Sequence, residues 1–272
     1  MHSNGLSGQT ASLLRRIESR FAPGAYDPPE CRVSAPWSQS SGMVERANSL
    51  WVALGQLKAG TLLNWAGSQG EQAVYVVSGA IRLGDQTCTA GDAILIDAHI
   101  ASRANVIADA HIVHFGSNGT RPPSTGPFGP PTQAGRSARI VRRENAVQSV
   151  SHADNGTRFV LNHFADGSGP TNRIALFSVC MDGPSFAIPH HHSEDELIYV
   201  LSGQVRSGTI RVAAGEFFAV PANIRYSFRT EGPASFLNFR RDASIITIKR
   251  ISSLETLAQR TARSFGDPSD EH

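Results

Sequence analysis

The chain is poor in cysteine. Its 3 cysteines, Cys31, Cys88 and Cys180, are widely spaced, odd in number and form no CxxC pair. That excludes a disulfide framework and a thiolate zinc site. Positive charge is not concentrated either. The formal net charge is +2 and no Lys/Arg-rich run accompanies it, so an electrostatically held nucleic-acid partner is not expected. No apolar run approaches the length of a membrane span. A secretory apolar core is missing as well, because Leu13-Leu14 is followed at once by Arg15-Arg16. These absences predict a soluble, cytoplasmic protein with neither membrane nor nucleic acid among its partners.

What is present is a chain able to build a core. With 272 residues, 40% of them hydrophobic and 18% charged, it has material for one large or two ordinary domains. Gly 25 and Pro 15 imply frequent turns between short strands. Leu13, Leu14, Ile17 and Phe21 stand at helical spacing and predict a helix over residues 8–21, ended by Pro23-Gly24. Short apolar runs then recur at 51–57, 73–77, 93–96 and 110–115, and later at 174–181, 196–201, 216–220, 224–228, 235–239 and 245–248. Antiparallel β structure is the reading. Between the two sets, the Pro/Gly-rich stretch 117–138 reads as a linker. Ser252 with Glu255 reads as the capping box of a last helix, followed by an acidic tail.

The two sets of strands repeat one another. Tyr75-Val76-Val77-Ser78-Gly79 matches Tyr199-Val200-Leu201-Ser202-Gly203 at an offset of 124 (203 minus 79). Gly91 and Gly215, and the pairs His114-Phe115 and Asn238-Phe239, keep the same offset. The chain is therefore read as two copies of one β unit. Its parts are an arm over 1–48, a first barrel over 49–116, the linker over 117–138, a second barrel over 139–250, and a helix with tail over 251–272.

The chemistry lies in the second copy. His190-His191-His192-Ser193-Glu194-Asp195-Glu196 runs into the apolar strand that ends at Gly203. In an extended segment residues two apart share a face, so His190, His192 and Glu196 point together and His191 points away. Two imidazoles and a carboxylate are the donor set of a divalent ion such as Fe(II), Mn(II), Ni(II) or Zn(II). In the first copy Ala66, Ser68, Gln72 and Ser102 stand opposite His190, His192, Glu196 and Tyr226, and that barrel is expected to be without metal ligands.

Here the chain resembles the cupin superfamily, specifically a bicupin. Gly183, His190, His192, Glu196 and Gly203 follow the first cupin motif, with one extra residue in its first spacer. Gly215 and Pro221 begin the second motif. That motif then departs from the pattern: Asn223 stands for the usual Gly, Tyr226 for the usual ligand His, and Thr230 for the usual Asn. The resemblance implies an all-β fold of two double-stranded β-helix (jelly-roll) barrels with short flanking helices. It implies a metal site at His190, His192 and Glu196, with Tyr226 as fourth ligand or as an acid–base group beside the ion. One ion per chain is expected, Fe(II) first, then Mn(II), Ni(II) or Zn(II). The activity it implies is a non-haem Fe(II)-type dioxygenase acting on a small enol, diketone or aromatic substrate with O2. The alternatives are a redox-neutral lyase or isomerase using Tyr226, and a non-catalytic small-molecule-binding or sensing bicupin. Asn238 is a cavity-lining candidate, His163 could reach across the barrel mouth, and open sheet edges make a homodimer an available assembly.

Overall fold

The structure, a computed structural model, describes residues 14–34, 40–117, 127–153, 156–244 and 246–248. The first strands in chain order are β1 (Arg15–Ile17), β2 (Ala22–Pro23), β3 (Cys31–Ser34), β4 (Ser41–Ala47), β5 (Leu50–Leu57) and β6 (Leu62–Ala66). Next come β7 (Gln72–Leu83), β8 (Gln86–Thr89), β9 (Ala93–Ile96), β10 (Ala101–Ser117) and β11 (Ala138–Val141). Then follow β12 (Val147–His152), β13 (Arg158–Asp166), β14 (Ala175–Met181), β15 (Ser185–His192), β16 (Glu196–Ser202) and β17 (Gln204–Ser207). The last are β18 (Ile210–Ala213), β19 (Phe217–Val220), β20 (Tyr226–Thr230), β21 (Ala234–Arg240) and β22 (Ile246–Ile248).

Among the described residues the strands pair antiparallel throughout. One sheet, β11-β9-β7-β10-β5-β4-β2 with β3, β6 and β8 attached, makes the first barrel. Two sheets, β1-β19-β16-β21-β14-β13-β12 and β18-β17-β20-β15-β22, make the second. The jelly-roll reading therefore holds, and among the described residues no flanking α-helix is seen. Arg15–Ile17 is a strand, not part of a helix, and it pairs with β19 at Ile17↔Phe217. The edge of β19 offers backbone partners, and Ile17 is 6% exposed against the core there. Leu14 and Ile17 enter different cores. An apolar spacing of three fits one face of a helix, yet it also serves a strand that buries residues on both faces. Residues 8–13 and the helix expected from Ser252 lie outside the described residues. The chain also crosses over: β1 joins the second barrel's sheet, while β11, just past the Pro-rich stretch, pairs with β9 of the first.

Alternation along the strands builds three cores. In β5, Leu50, Val52 and Leu54 face the second barrel, while Trp51 and Ala53 face the interior of the first. In β16, Leu197 and Tyr199 face the first barrel, while Ile198 and Val200 face the second's interior. The shared core is apolar on both sides, with Phe115 and Phe239 stacked at 4.9 Å and 13°. These two rings are the same position of the repeat, so the barrels meet like the halves of a two-fold dimer.

The same symmetry sets a pair of clasps. Asp195 accepts the backbone N–H of Ser49 at 2.9 Å, and Glu71 accepts the backbone N–H of Arg173 at 2.9 Å. Both carboxylates and both donor positions are 124 residues apart (195 minus 71, 173 minus 49). Gly79 and Gly203 also correspond. Each has positive φ (84° and 73°), and a side chain there would strike the carbonyl of Asp109 or Pro233, again equivalent positions. Only glycine satisfies that turn in either copy.

Candidate metal centre in the second barrel

β16 projects Glu196 into the second barrel, where it is 1% exposed. β21 places Asn238 and Arg240 opposite it through the pairs Ile198↔Asn238 and Glu196↔Arg240. β15 and β20 bring His190 beside Tyr226 in register. Asn238 Nδ2 donates to Glu196 Oε1, and the Tyr226 hydroxyl donates to Glu196 Oε2 at 2.7 Å. Arg240 Nη2 donates to Glu196 Oε1 at 3.2 Å. Burial alone would raise the Glu196 carboxyl; the Arg240 guanidinium, His192, Tyr226 and Asn238 outweigh it and hold it below the usual carboxylate range. Glu196 is thus a buried, ionised carboxylate with both oxygens engaged.

His192 is 4% exposed, and burial pushes it down to about 4, so the ring is neutral at physiological pH. Its Nε2 lies 3.1 Å from Arg240 Nη2, which can only donate, so Nε2 carries the lone pair. The proton sits on Nδ1 and goes to Ser244 Oγ at 3.1 Å. Arg240 Nη1 donates to the same hydroxyl at 3.0 Å. His190 donates from Nδ1 to the Ile188 carbonyl at 2.7 Å, which leaves its Nε2 with a lone pair as well. The His190 ring lies 5.0 Å from His192 and 4.6 Å from Tyr226. Burial, then the Glu196 charge, pushes the Tyr226 phenol well above its ordinary value, so it keeps its proton.

His192 and Glu196 therefore meet, at 3.4 Å, and His190 stands one ring away. Among the described residues no three His, Cys, Asp or Glu side chains form a ready-made ion site. The physical reason is Arg240, whose guanidinium takes the lone pairs of both His192 and Glu196. The donor set nevertheless suits a divalent ion. Both imidazoles have Nδ1 engaged by the protein, the arrangement that orients metal-ligating histidines, and the carboxylate is ionised. Asn238 Oδ1 and Arg240 Nε are buried beside that carboxylate without a hydrogen-bond partner.

Arg240 is the residue that motif reasoning does not find. The repeat carries its signal: the cross-strand pair Ala175↔Arg240 of the second barrel is Trp51↔Gly116 in the first. Large and small residues have exchanged strands. A side chain on Gly116 would run into the Trp51 ring, whereas Ala175 leaves Arg240 room. Arg240 also lies over the Phe177 ring at 5.3 Å, and His163 packs against that ring at 5.2 Å rather than entering the site.

The interior of the first barrel is a neutral network. His114 Nε2 donates to Gln72 Oε1 at 2.8 Å, Trp65 Nε1 donates to the same oxygen at 2.8 Å, and the Tyr26 hydroxyl donates to His114 Nδ1 at 2.9 Å. Gln72 Nε2 donates to the Pro29 carbonyl at 3.2 Å. Burial pushes His114 down to about 3.

The fold is that of cupin-type jelly-roll barrels, and residues 178–240 match the family model described as Cupin domain. Solved structures of similar fold include a serine-to-alanine variant of Bacillus subtilis oxalate decarboxylase, at 13% identity and TM-score 0.60, over 91% of this chain and 84% of that one. The Bacillus subtilis enzyme at pH 4.6 is similar at 14% identity and TM-score 0.56, over 82% of this chain and 78% of that chain. A further structure of that enzyme, from work on its Mn(II) centres, has 14% identity and TM-score 0.57, over 82% of this chain and 80% of that one. At these identities the likeness is one of fold. No curated protein sequence matches the chain. Among the described residues no helix is long and apolar enough to cross a membrane.

Proposed function

We propose that the protein is a metal-dependent cupin enzyme with one centre, inside the second barrel, acting on a small organic substrate. One observation carries the reading. His190 and His192 each have Nδ1 engaged by the protein, so each turns Nε2 to the site of a buried, ionised Glu196, with the His192 Nε2 held by Arg240, which an ion would have to displace. These three residues would hold the ion, with Fe(II) the first candidate and Mn(II), Ni(II) or Zn(II) the others. When bound, the ion supplies Lewis acidity to a substrate oxygen. Asn238 and Tyr226 keep the carboxylate oriented, and the apolar wall from Ile198, Val200 and Phe236 limits water.

Two imidazoles and one carboxylate leave coordination positions open, a set associated with non-haem Fe(II) oxygen chemistry. O2-dependent cleavage of an enol, diketone or aromatic substrate is therefore the first reading. Tyr226 favours a second, a redox-neutral lyase or isomerase. Its phenol is protonated and hydrogen-bonded to Glu196, which supports a proton-holding role more than phenolate ligation. The decarboxylases of similar fold lend that reading support.

An oxygen electrode separates the two. Fe(II)-loaded protein is given a panel of β-diketones, enols and catechols. Oxygen uptake coupled to product formation supports the dioxygenase; product without uptake supports the lyase. Absence of both, across Fe(II)-, Mn(II)- and Ni(II)-loaded protein, counts against an enzyme.

A further inference from the structure

On the outer face of the β18-β17-β20-β15 sheet, three arginines lie side by side. Arg211 of β18 is directly opposite Arg206 of β17, and Arg206 is directly opposite Arg229 of β20. Arg229 is in turn opposite Phe186 of β15, which is 56% exposed. Adjacent strands are about 4.8 Å apart, so the three stems fall within about 10 Å. Like charges directly opposite one another destabilise a sheet. Among the described residues none of the three arginines forms an ion pair with a carboxylate; Arg206 Nε donates to the Gly208 carbonyl at 2.8 Å.

The scaffold does not require this row. The equivalent row of the first barrel is Thr87, Arg82, Asn105 and Leu62, paired in the same order. One barrel thus carries a single cation where the other carries three, and Leu62 where the other has Phe186. The second barrel also has an open groove of about 250 Å³ here, bounded by Phe186, Arg206, Ser227, Phe228 and Arg229.

We infer that this groove is an anion site for a small organic phosphate, separate from the barrel interior. The phosphate would lie between Arg206 and Arg229, since guanidinium pairs match phosphate oxygens and neutralise their charge. The apolar body of the ligand would rest on Phe186. The groove is smaller than an ordinary drug-sized pocket, which fits one phosphate group with one ring.

Calorimetric titration of the full chain with phenyl phosphate at low salt tests this. Saturable one-to-one binding is expected, weakened about tenfold or more in Arg206→Gln and in Arg229→Gln, since charged hydrogen bonds carry that much. Phe186→Ala should bring phenyl phosphate down to the affinity of inorganic phosphate. Glu196→Gln should leave binding unchanged. The thermal midpoint of Arg206→Gln should equal or exceed the wild type, because a repulsion is relieved. Unsaturable binding, or equal affinity in the arginine variants, would overturn the inference. So would capture of a single-stranded oligonucleotide or an acidic peptide by these arginines without phenyl phosphate binding.

Discussion

Arg240 holds the place a divalent ion would compete for, between the Nε2 of His192 and the Oε1 of Glu196. Replacing it with an uncharged side chain of similar length removes that competition and an opposing positive charge. Arg240→Met should therefore bind Mn(II) about tenfold or more tightly than wild type by calorimetry, from the loss of one charged hydrogen-bond set. Equal or weaker binding would mean that the guanidinium supports the ion instead. Tyr226→Phe should keep its metal and, if the phenol moves a proton, lose roughly 10²–10⁴ in turnover. His192 and Glu196 were legible in the sequence through motif spacing, but not as one extended segment: residues 193–195 turn between β15 and β16, which lie in different sheets, and the two side chains meet across that turn. Arg240 was not legible, because its partner strand is set by register across the sheet, more than forty residues away. The Trp51–Gly116 and Ala175–Arg240 exchange is written in the repeat, but it means nothing until those residues are known to pair.

Elements are held to each other by backbone groups and buried carboxylates. Asp195 accepts from the N–H of Ser49 and, at 2.8 Å, from the N–H of Ala222, so one side chain ties the first barrel to the loop before β20. The Ser49 hydroxyl donates to Asp195 as well, so Asp195→Ala leaves three donors without that partner and should cost about 2–3 kcal/mol in urea unfolding, with the spectrum of the native state unchanged. β1 is held through Arg16, whose guanidinium meets Glu216 at 2.6 Å and 3.2 Å. This pair is exposed, so its contribution is small, and the burial of Ile17 matters more. The strands of 93–96 and 196–202 follow closely from their apolar runs. The arm strand does not, because a segment of three residues is decided by the edge it meets and not by its own periodicity.

At the scale of the molecule, the two barrels share one apolar core across Leu50, Val52, Leu54, Tyr75, Phe115, Tyr199, Leu237 and Phe239. They should unfold together in one transition. Phe239→Ala, which opens a cavity against Phe115, should lower the stability of that transition by about 3–5 kcal/mol without splitting it. Two separated transitions would contradict a common core. Acid should act through His114. The unfolded ring takes up a proton near its ordinary value of about 6.5, while burial keeps the folded ring neutral down to about 3. The unfolded state therefore binds more protons in that window, and stability is lost as pH falls through it. The thermal midpoint should drop between pH 7 and pH 4, and His114→Asn should flatten that slope. The two-barrel plan was legible because the repeat keeps a constant offset. The crossing of β1 and β11 into the other barrel's sheets was not, since nothing local records which edge a strand will join.

The most direct test is the metal content of the purified protein by mass spectrometry, for wild type, His192→Ala and Glu196→Gln. The account predicts about one divalent ion per chain in the wild type and its loss in both variants, with the fold intact by circular dichroism. Wild-type protein that takes up no ion from excess Fe(II) or Mn(II), or variants that keep the wild-type content, would contradict it.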